Sequence, residues 1–497
     1  MGKQAVNPYL PFWETVPDGE PHVFGDRLYV YGSHDTRGGN SFCTEDYVCW
    51  SAPVDDLGDW RLEGVIYKKM QDPLNGAPYD KPLPKTNASM GTAEQPHYLY
   101  APDVAQGPDG RYYLYYALDF VGVISVAVCD SPAGQFEFLD FVTREDGSIP
   151  EVGQWFDPAI LCEESGNYLY YGFAPTFRFP GMEDRKLPGG MMVKLADDMH
   201  TILTEPVCVA NGVDTAKGTG YEAHPFFEAS SIRGIGGRYY FVYSSLQGNE
   251  LCYGMADTPE GPFAYQGVLI SNGDLGYQGN TLRTNYTGNN HGGLVCIGEK
   301  TYIFWHRQTH GTSFSRQGCA DEVQIQPDGT IPQTEVTSCG LNGGPLAARG
   351  SYSAHIACYL TEEDRSKMDN VVMAGPGQPL PPIPENWPYI TEEPDEAGEQ
   401  GLKPYIYNLR KGSVAGFKYF AFDGTEKSIA LEVRGCGTME VLLDEVEPDA
   451  QAIAEGKADA ADGWHHITAE LPQMTGTHAL FFRVKEGTLD FAEFAIM

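Results

Sequence analysis

Three carboxylates stand at a shared distance in front of five similar segments. These are GDRLYVYGS from Gly25, DGRYYLYYA from Asp109, SGNYLYYGF from Ser165, GGRYYFVYSS from Gly236 and GEKTYIFWH from Gly298. Asp18 lies nine residues before Arg27 of the first, Asp157 ten before Asn167 of the third, and Glu228 ten before Arg238 of the fourth. Counted alike, the fifth carries His291 nine residues before Lys300, and the second carries Asp103 eight before Arg111. Asp157 follows Trp155-Phe156 and Glu228 follows Phe226-Phe227, a costly setting for charge unless chemistry uses it. Carboxylates crowded in a partly desolvated site push their pKa values apart, so one can act as acid and another as base near neutrality. Two carboxylates with a third helper are what cleavage of a glycosidic bond needs. The plainer reading is turn chemistry. With 68 acidic residues, three at matching offsets can arise by chance, and Asp-Pro starts turns.

What must position these groups is the repeat itself. The markers Arg27, Arg111, Asn167, Arg238 and Lys300 are spaced by 84, 56, 71 and 62 residues. Each unit reads as a hairpin turn followed by a β-branched and aromatic strand. Five units of this kind predict a five-bladed β-propeller, in which equivalent positions on the innermost strands converge on the central axis. A two-sheet sandwich is the alternative, but it would not repeat one strand type five times over 300 residues.

The repeat stops after Trp305. TSCGLNGG (337–344) and the Pro-rich PGQPLPPIPENWP (376–388) mark a change of organisation. Six period-2 runs follow: 416–422, 428–435, 439–446, 465–472, 478–485 and 489–496. They predict a C-terminal antiparallel β-sandwich. The expected class is all-β, with a propeller over 1–343 and a sandwich over 344–497; the Pro-rich stretch reads either as a linker or as a long loop of the second domain.

Composition narrows the partners. The 497 residues hold 33 basic and 68 acidic side chains, a formal charge of −35. Phosphate backbones and anionic membranes repel such a chain, so nucleic-acid and lipid-surface roles are excluded as expectations. The first twenty residues carry no 7–15-residue apolar stretch, and the chain is read as cytoplasmic. Its eleven cysteines form no metal-spaced pairs and read as free thiols. No nucleotide-binding loop, GxSxG elbow or HExxH pair occurs. Oligomeric state leaves no mark in the sequence.

Over about residues 7–340 the chain resembles glycoside hydrolase family 43. The resemblance rests on an ordered set: NPYLP, PDGEPHVFGDRLYVYGSHD (17–35), YAPDV with DGRYYLYY (100–116), WFDPAI (155–160), FFEASSIR with GRYYFVYSS (226–245), NHGGLV (290–295) and YIFWHR (302–307). It implies an inverting exo-glycosidase releasing terminal arabinofuranose or xylose from plant-derived oligosaccharides. A β-D-galactofuranosidase, an endo-arabinanase and a non-catalytic sugar-binding propeller are the alternatives. It further implies Asp18 as general base, Glu228 as general acid and Asp157 as the group that tunes and orients the acid. Where family members commonly have Asp-Pro, this chain has Asp18-Gly19, and Glu20 is a rival for the base.

The resemblance also makes His291 the axial histidine, holding a structural calcium ion or a water network. No cofactor is expected for the chemistry. Arg316 is a candidate contact to the sugar, and Trp155 and Phe156 are candidate substrate contacts. His34 and Asp35 are read as pocket rim or as a strand end. Loops 36–60 and 173–190 are where specificity is expected to reside. The tail resembles a family 6 type carbohydrate-binding module, with Trp464 and Tyr407 as candidate stacking residues.

Overall fold

The structure is a computed structural model that describes residues 3–497 except 87, 120, 179–185, 376–377 and 460–461. Among the described residues the only helical elements are single 3₁₀ turns; all other regular structure is strand. Residues 20–323 form five antiparallel sheets of four, four, four, four and three strands, each in sequential order. Their first strands are Glu20–Phe24, Leu99–Gln106, Ala159–Glu163, Phe226–Ile235 and Leu294–Ile297, and successive first strands pack on one another around a common axis. This is the expected five-bladed propeller.

The aromatic repeat strands explain why the ring holds. They are the second strands of their blades, buried on both faces, so every residue of the period-2 alternation has a core to enter. In Tyr112–Leu118, Tyr113 and Tyr115 enter the core shared with blade three, while Leu114, Tyr116 and Leu118 enter the core shared with blade one. In Arg238–Ser245, Phe241 and Tyr243 face blade three, and Tyr240 and Val242 face blade five. A fifth core joins blade five to blade one through Val30, Trp50, Phe304 and Ala320.

The N-terminal segment completes the three-stranded fifth blade. The Tyr9 amide donates to the Gly318 carbonyl at 3.3 Å. The Asn7 side chain accepts from the Ala320 amide at 2.9 Å and donates to the Ala320 carbonyl at 2.9 Å. Segments from the two ends of the propeller thus share one sheet edge.

The last blade strand ends at Val323 and the next strand of the chain starts at Leu346. From there ten strands form one connected sheet around a core that includes Phe417, Phe482, Phe491 and Phe494. Two details differ from the sequence reading. Six runs become four strands, because 428–435 and the first five residues of 439–446 lie within one strand, Ser428–Leu443, and 478–485 and 489–496 within another, Thr475–Ile496. Gly435 (φ 114°) and Gly487 (φ 84°) have the backbone freedom of turn residues, but they sit where paired strands bend past each other, and the ladder continues through a bulge. One pair, Leu346–Ala347 with Phe420 and Ala421, is also parallel.

Trp464 is half-buried in this domain. Its indole N–H donates to Glu393 at 2.6 Å, with Arg434 and Lys403 over its ring at 4.5 and 5.4 Å. Tyr407 is exposed and pairs with Tyr389 across the strands.

Replacing Asn7 by Ala leaves both backbone groups of Ala320 without their buried partner. The expected cost is about 1–3 kcal/mol, read as a lower midpoint in urea denaturation with an unchanged slope.

Candidate active site

The acids lie where the chain enters the innermost strands. Asp18 and Asp157 stand two residues before Glu20–Phe24 and Ala159–Glu163, and Glu228 is the third residue of Phe226–Ile235. Asp18 (φ 56°), Asp157 (φ 45°) and Ala229 (φ 67°) all have left-handed backbone. Asp tolerates this conformation through its short polar side chain, whereas Ala does not, and such strain gathers where a fold must aim a functional side chain. The Ala229 amide is thereby pointed at Asp157 and donates to its Oδ2 at 2.9 Å. This one hydrogen bond ties the third-blade acid to the strand of the fourth-blade acid.

Asp18, Asp157, Glu228, His291 and Arg316 line one cavity of about 720 Å³ at the end of the axis. Arg316 is its electrostatic centre. Its guanidinium, 2% exposed, donates from Nη1 to Asp18 Oδ1 at 2.9 Å and grips Asp35 through Nε and Nη2 at 2.8 and 2.9 Å. Its plane lies 4.8 Å from the Phe42 ring centroid. Burial alone would raise the pKa of Asp18; the Arg316 charge and the nearby imidazoles His306 and His291 hold it below the usual carboxylate value.

Both histidines are neutral near pH 7, since burial pushes His291 down to about 4 and His306 down to about 3. Arg316 is therefore the cation that keeps Asp18 ionised. His306 shows its tautomer: Nδ1 accepts from the Asp18 amide at 3.3 Å, so Nε2 carries the proton donated to the Asn289 carbonyl at 2.8 Å.

The other two acids are pushed the opposite way. Glu228 is raised to about 8, by burial first and then by the Asp18 charge. Asp157 is raised well above its ordinary value by burial, then by Glu228 and Asp18. At neutral pH the floor thus holds an ionised Asp18 facing a protonated Glu228.

The expected site residues divide under this geometry. Phe156 lines the cavity. Trp155 does not: it is fully buried, stacked on Tyr171 at 3.9 Å, with its indole N–H on the Pro150 carbonyl. His34 lies outside the lining as well, between Glu14 at 3.0 Å and the Asp46 carbonyl at 2.9 Å. Asp35 is not rim but the buried clamp behind Arg316. The rival Glu20 faces the channel beneath, bonded to Arg233 at 2.7 Å and Ser231 at 3.1 Å. Asp103, despite its matching offset, is buried there too, against His22 at 2.6 Å.

The sequence reading did not single out Tyr98, Asp119, Asn289 or Phe314, nor Met373 to Gly375 and Gln378 of the second domain, all of which line the cavity. Loop 36–60 contributes Asn40, Ser41 and Phe42, and loop 173–190 contributes Phe177; part of the latter, 179–185, lies outside the described residues.

A calcium ion on His291 lacks a protein donor set. His291 Nδ1 is 3.9 Å from Asp18 and 3.8 Å from Asp157, and among the described residues no trio of ligating atoms within mutual reach includes it. In the channel beneath, Glu20, His22 and Asp103 do approach one another. The Arg233 guanidinium already occupies that place, 2.7 Å from Glu20 and 3.3 Å from His22 Nε2.

With this geometry in place, the relatives can be weighed. The profile of the Glycosyl hydrolases family 43 matches residues 21–331. A xylosidase/arabinosidase of Thermoclostridium stercorarium is 45% identical over 491 residues, 97% of this chain and 96% of its own. The chain belongs to glycosyl hydrolase family 43. A β-xylosidase of Xylanibacter ruminicola is 30% identical to this family 43 hydrolase over 279 residues, 52% of this chain and 80% of the relative. The GH43_1 enzyme from Xanthomonas citri complexed with xylose shares the fold at a TM-score of 0.50 and 23% identity, covering 69% of this chain and 96% of that one.

Asp35→Ala would leave the Arg316 guanidinium with one buried carboxylate. The expected loss is about 3–5 kcal/mol in urea denaturation. In the folded fraction the acidic limb of kcat/KM moves down in pH, because without the Asp35 charge the Arg316 guanidinium is left to Asp18 alone and the pKa of Asp18 falls. A purely structural Asp35 would lower stability and leave that limb in place.

Proposed function

We propose that this hydrolase is an exo-acting, inverting glycosidase that releases terminal xylose or arabinofuranose from short oligosaccharides. The observation that carries the reading is the opposed surroundings of two carboxylates on one cavity floor: Asp18 is bonded to the Arg316 guanidinium, whereas Glu228 lies beside the charge of Asp18. Asp18, ionised beside Arg316, takes a proton from water. Glu228, protonated up to about pH 8, gives its proton to the leaving oxygen. Water attacks the anomeric carbon from the Asp18 side as the glycosidic bond breaks on the Glu228 side, so configuration inverts. Asp18 ends protonated and Glu228 ionised, and exchange with solvent restores both.

Asp157 acts through position. Its carboxyl, tied to the Ala229 amide, holds the backbone beside Glu228, and its own raised pKa keeps a second negative charge off the floor. Arg316 gives three of its five side-chain N–H groups to Asp18 and Asp35, so its main part is to hold the base ready. A structural calcium ion at His291 would take most of its ligands from water.

The substrate assignment draws on two supports. Relatives across the whole chain and across half of it are a xylosidase/arabinosidase and a β-xylosidase. Asp18 and Asp157 sit buried and Glu228 half-buried at the floor while Phe177 and Met373 stand exposed at the cavity mouth, an arrangement that receives a chain end rather than the middle of a polymer.

Hydrolysis of nitrophenyl β-D-xyloside and α-L-arabinofuranoside tests the assignment; activity on the β-D-galactofuranoside alone would overturn it. With an active substrate, kcat/KM falls as pH rises through about 8, where Glu228 loses its proton. It persists on the acid side to below the ordinary carboxylate range, because Asp18 ionises early.

Replacing Asp18 by Ala costs about 10²–10⁴-fold on every substrate. Glu228→Ala costs as much on a disaccharide but far less on a nitrophenyl glycoside, whose leaving group needs little protonation. Equal losses on both substrates would refute the assignment of Glu228 as acid.

A further inference from the structure

The second domain reaches into the catalytic cavity. Met373, Ala374, Gly375 and Gln378 line it together with the floor acids, although they come from the segment between Tyr359–Thr361 and Tyr389–Pro394. This segment is stitched to the propeller just before it arrives. The Val371 amide donates to the Thr287 carbonyl at 2.8 Å, the Val372 amide to Gly311 at 3.1 Å, and the Ser313 amide returns to the Val372 carbonyl at 2.9 Å. The Thr287 hydroxyl adds a 2.7 Å bond to Asn370. Beneath lies an apolar patch of Tyr286, Met368, Val371 and Trp387, its two largest rings 4.2 Å apart. Farther on, Glu392 pairs with Arg37 at 2.8 Å. The backbone at 370–372 is thus held as a fixed wall, and residue 373 is the first to project from it.

At the mouth two large apolar side chains face solvent: Met373 is 58% exposed and Phe177, from blade three, 52% exposed. Both line the same cavity as Asp18, Asp157 and Glu228. An apolar side chain left in water at a cavity mouth gains free energy when a ligand covers it. The floor takes the terminal sugar, because the bond to be cut must reach Glu228; whatever is attached beyond that bond must then lie at the mouth. A pyranose or furanose ring offers C–H faces that suit a thioether and a phenyl ring, and its hydroxyls suit the amides of Gln378 and Asn40. Arg316 is the one cationic side chain among the described lining residues, and its charge is already balanced by Asp18 and Asp35. The mouth therefore suits an uncharged sugar and disfavours a uronic acid.

We infer that Met373 and Gln378 of the second domain, with Phe177 of blade three, form the subsite for the neutral leaving-group sugar, so that the catalytic cavity is completed by both domains. The inference rests on the pentosidase reading above.

The test compares two xylosides that differ only beyond the scissile bond: xylobiose, whose second ring occupies the mouth, and β-D-xylosyl fluoride, whose leaving group is too small to touch it. Met373→Ala should raise KM for xylobiose about fivefold to tenfold, the scale of one lost apolar contact. Turnover of the fluoride and inhibition by free xylose should stay within about twofold, and Met373→Leu should restore most of the xylobiose affinity. Unchanged xylobiose kinetics in Met373→Ala, or equal losses on both substrates, would overturn the subsite while leaving the pentosidase reading intact. A wild-type enzyme that cleaves neither xyloside nor arabinofuranoside would overturn that reading, and the subsite with it. Met373 is exposed, so the variant should keep the wild-type Tm; a fall of several degrees would mean that the side chain supports the wall instead.

Discussion

A guanidinium buried between two carboxylates governs this molecule. Arg316 could not remain charged at 2% exposure without Asp18 and Asp35, and neither acid could ionise there without it. The two acids do different work. Asp35 takes the guanidinium in a two-point grip and fixes its plane; Asp18 receives one of the remaining N–H groups and is left with lone pairs toward the cavity. That arrangement gives the site its polarity: one acid is held ionised by a neighbour, and its charge in turn helps to keep Glu228 protonated. Through the Ala229 amide the order extends to Asp157, so four of the five blades contribute to one electrostatic unit.

Much of this was legible in the chain before any coordinates. The alternation in Tyr112–Leu118 and Arg238–Ser245 announces strands buried on both faces, and a constant offset from them picks out Asp18, Asp157 and Glu228. Offset alone could not separate Asp103 from the other acids, because what distinguishes it is depth along the axis, and depth depends on which way each strand entrance turns. Trp155 leaves the cavity for a related reason: strand alternation would put it on the same side as Asp157, two residues on, but the left-handed backbone at Asp157 breaks that alternation, and it is Phe156 that lines the cavity. Gly435 and Gly487 read as turns because glycine marks both turns and bulges, and only pairing with a partner strand tells them apart. The second-domain contribution left no periodic signal at all. Met373 reaches the cavity through irregular chain whose course is set by hydrogen bonds to residues 287 and 311, some 60 to 85 positions away.

Precision and variability are thereby placed in different parts of the molecule. The floor is carried by the entrances to inner strands, which the ring geometry holds and which cannot shift without disturbing two inter-blade cores each. The rim comes from loops of blades one and three and from the second domain, none of which the ring needs for closure. A change of rim can alter what is recognised without touching the proton transfers below.

The N-terminal segment seated on the fifth blade has a consequence for how the enzyme comes into being. Asp18 and its cation are 298 positions apart in the chain, and residues 7–9 find their sheet only when residues 318–320 exist. A growing chain can fold its early blades one after another, yet the N-terminal segment waits unpaired, and Asp18 without its counter-charge, until nearly two thirds of the protein has been made. Contacts of such separation close late and at high entropic cost. Catalytic competence therefore arrives in a single step, with ring closure, and a chain that stops short of residue 316 is not a weak enzyme but an inert one.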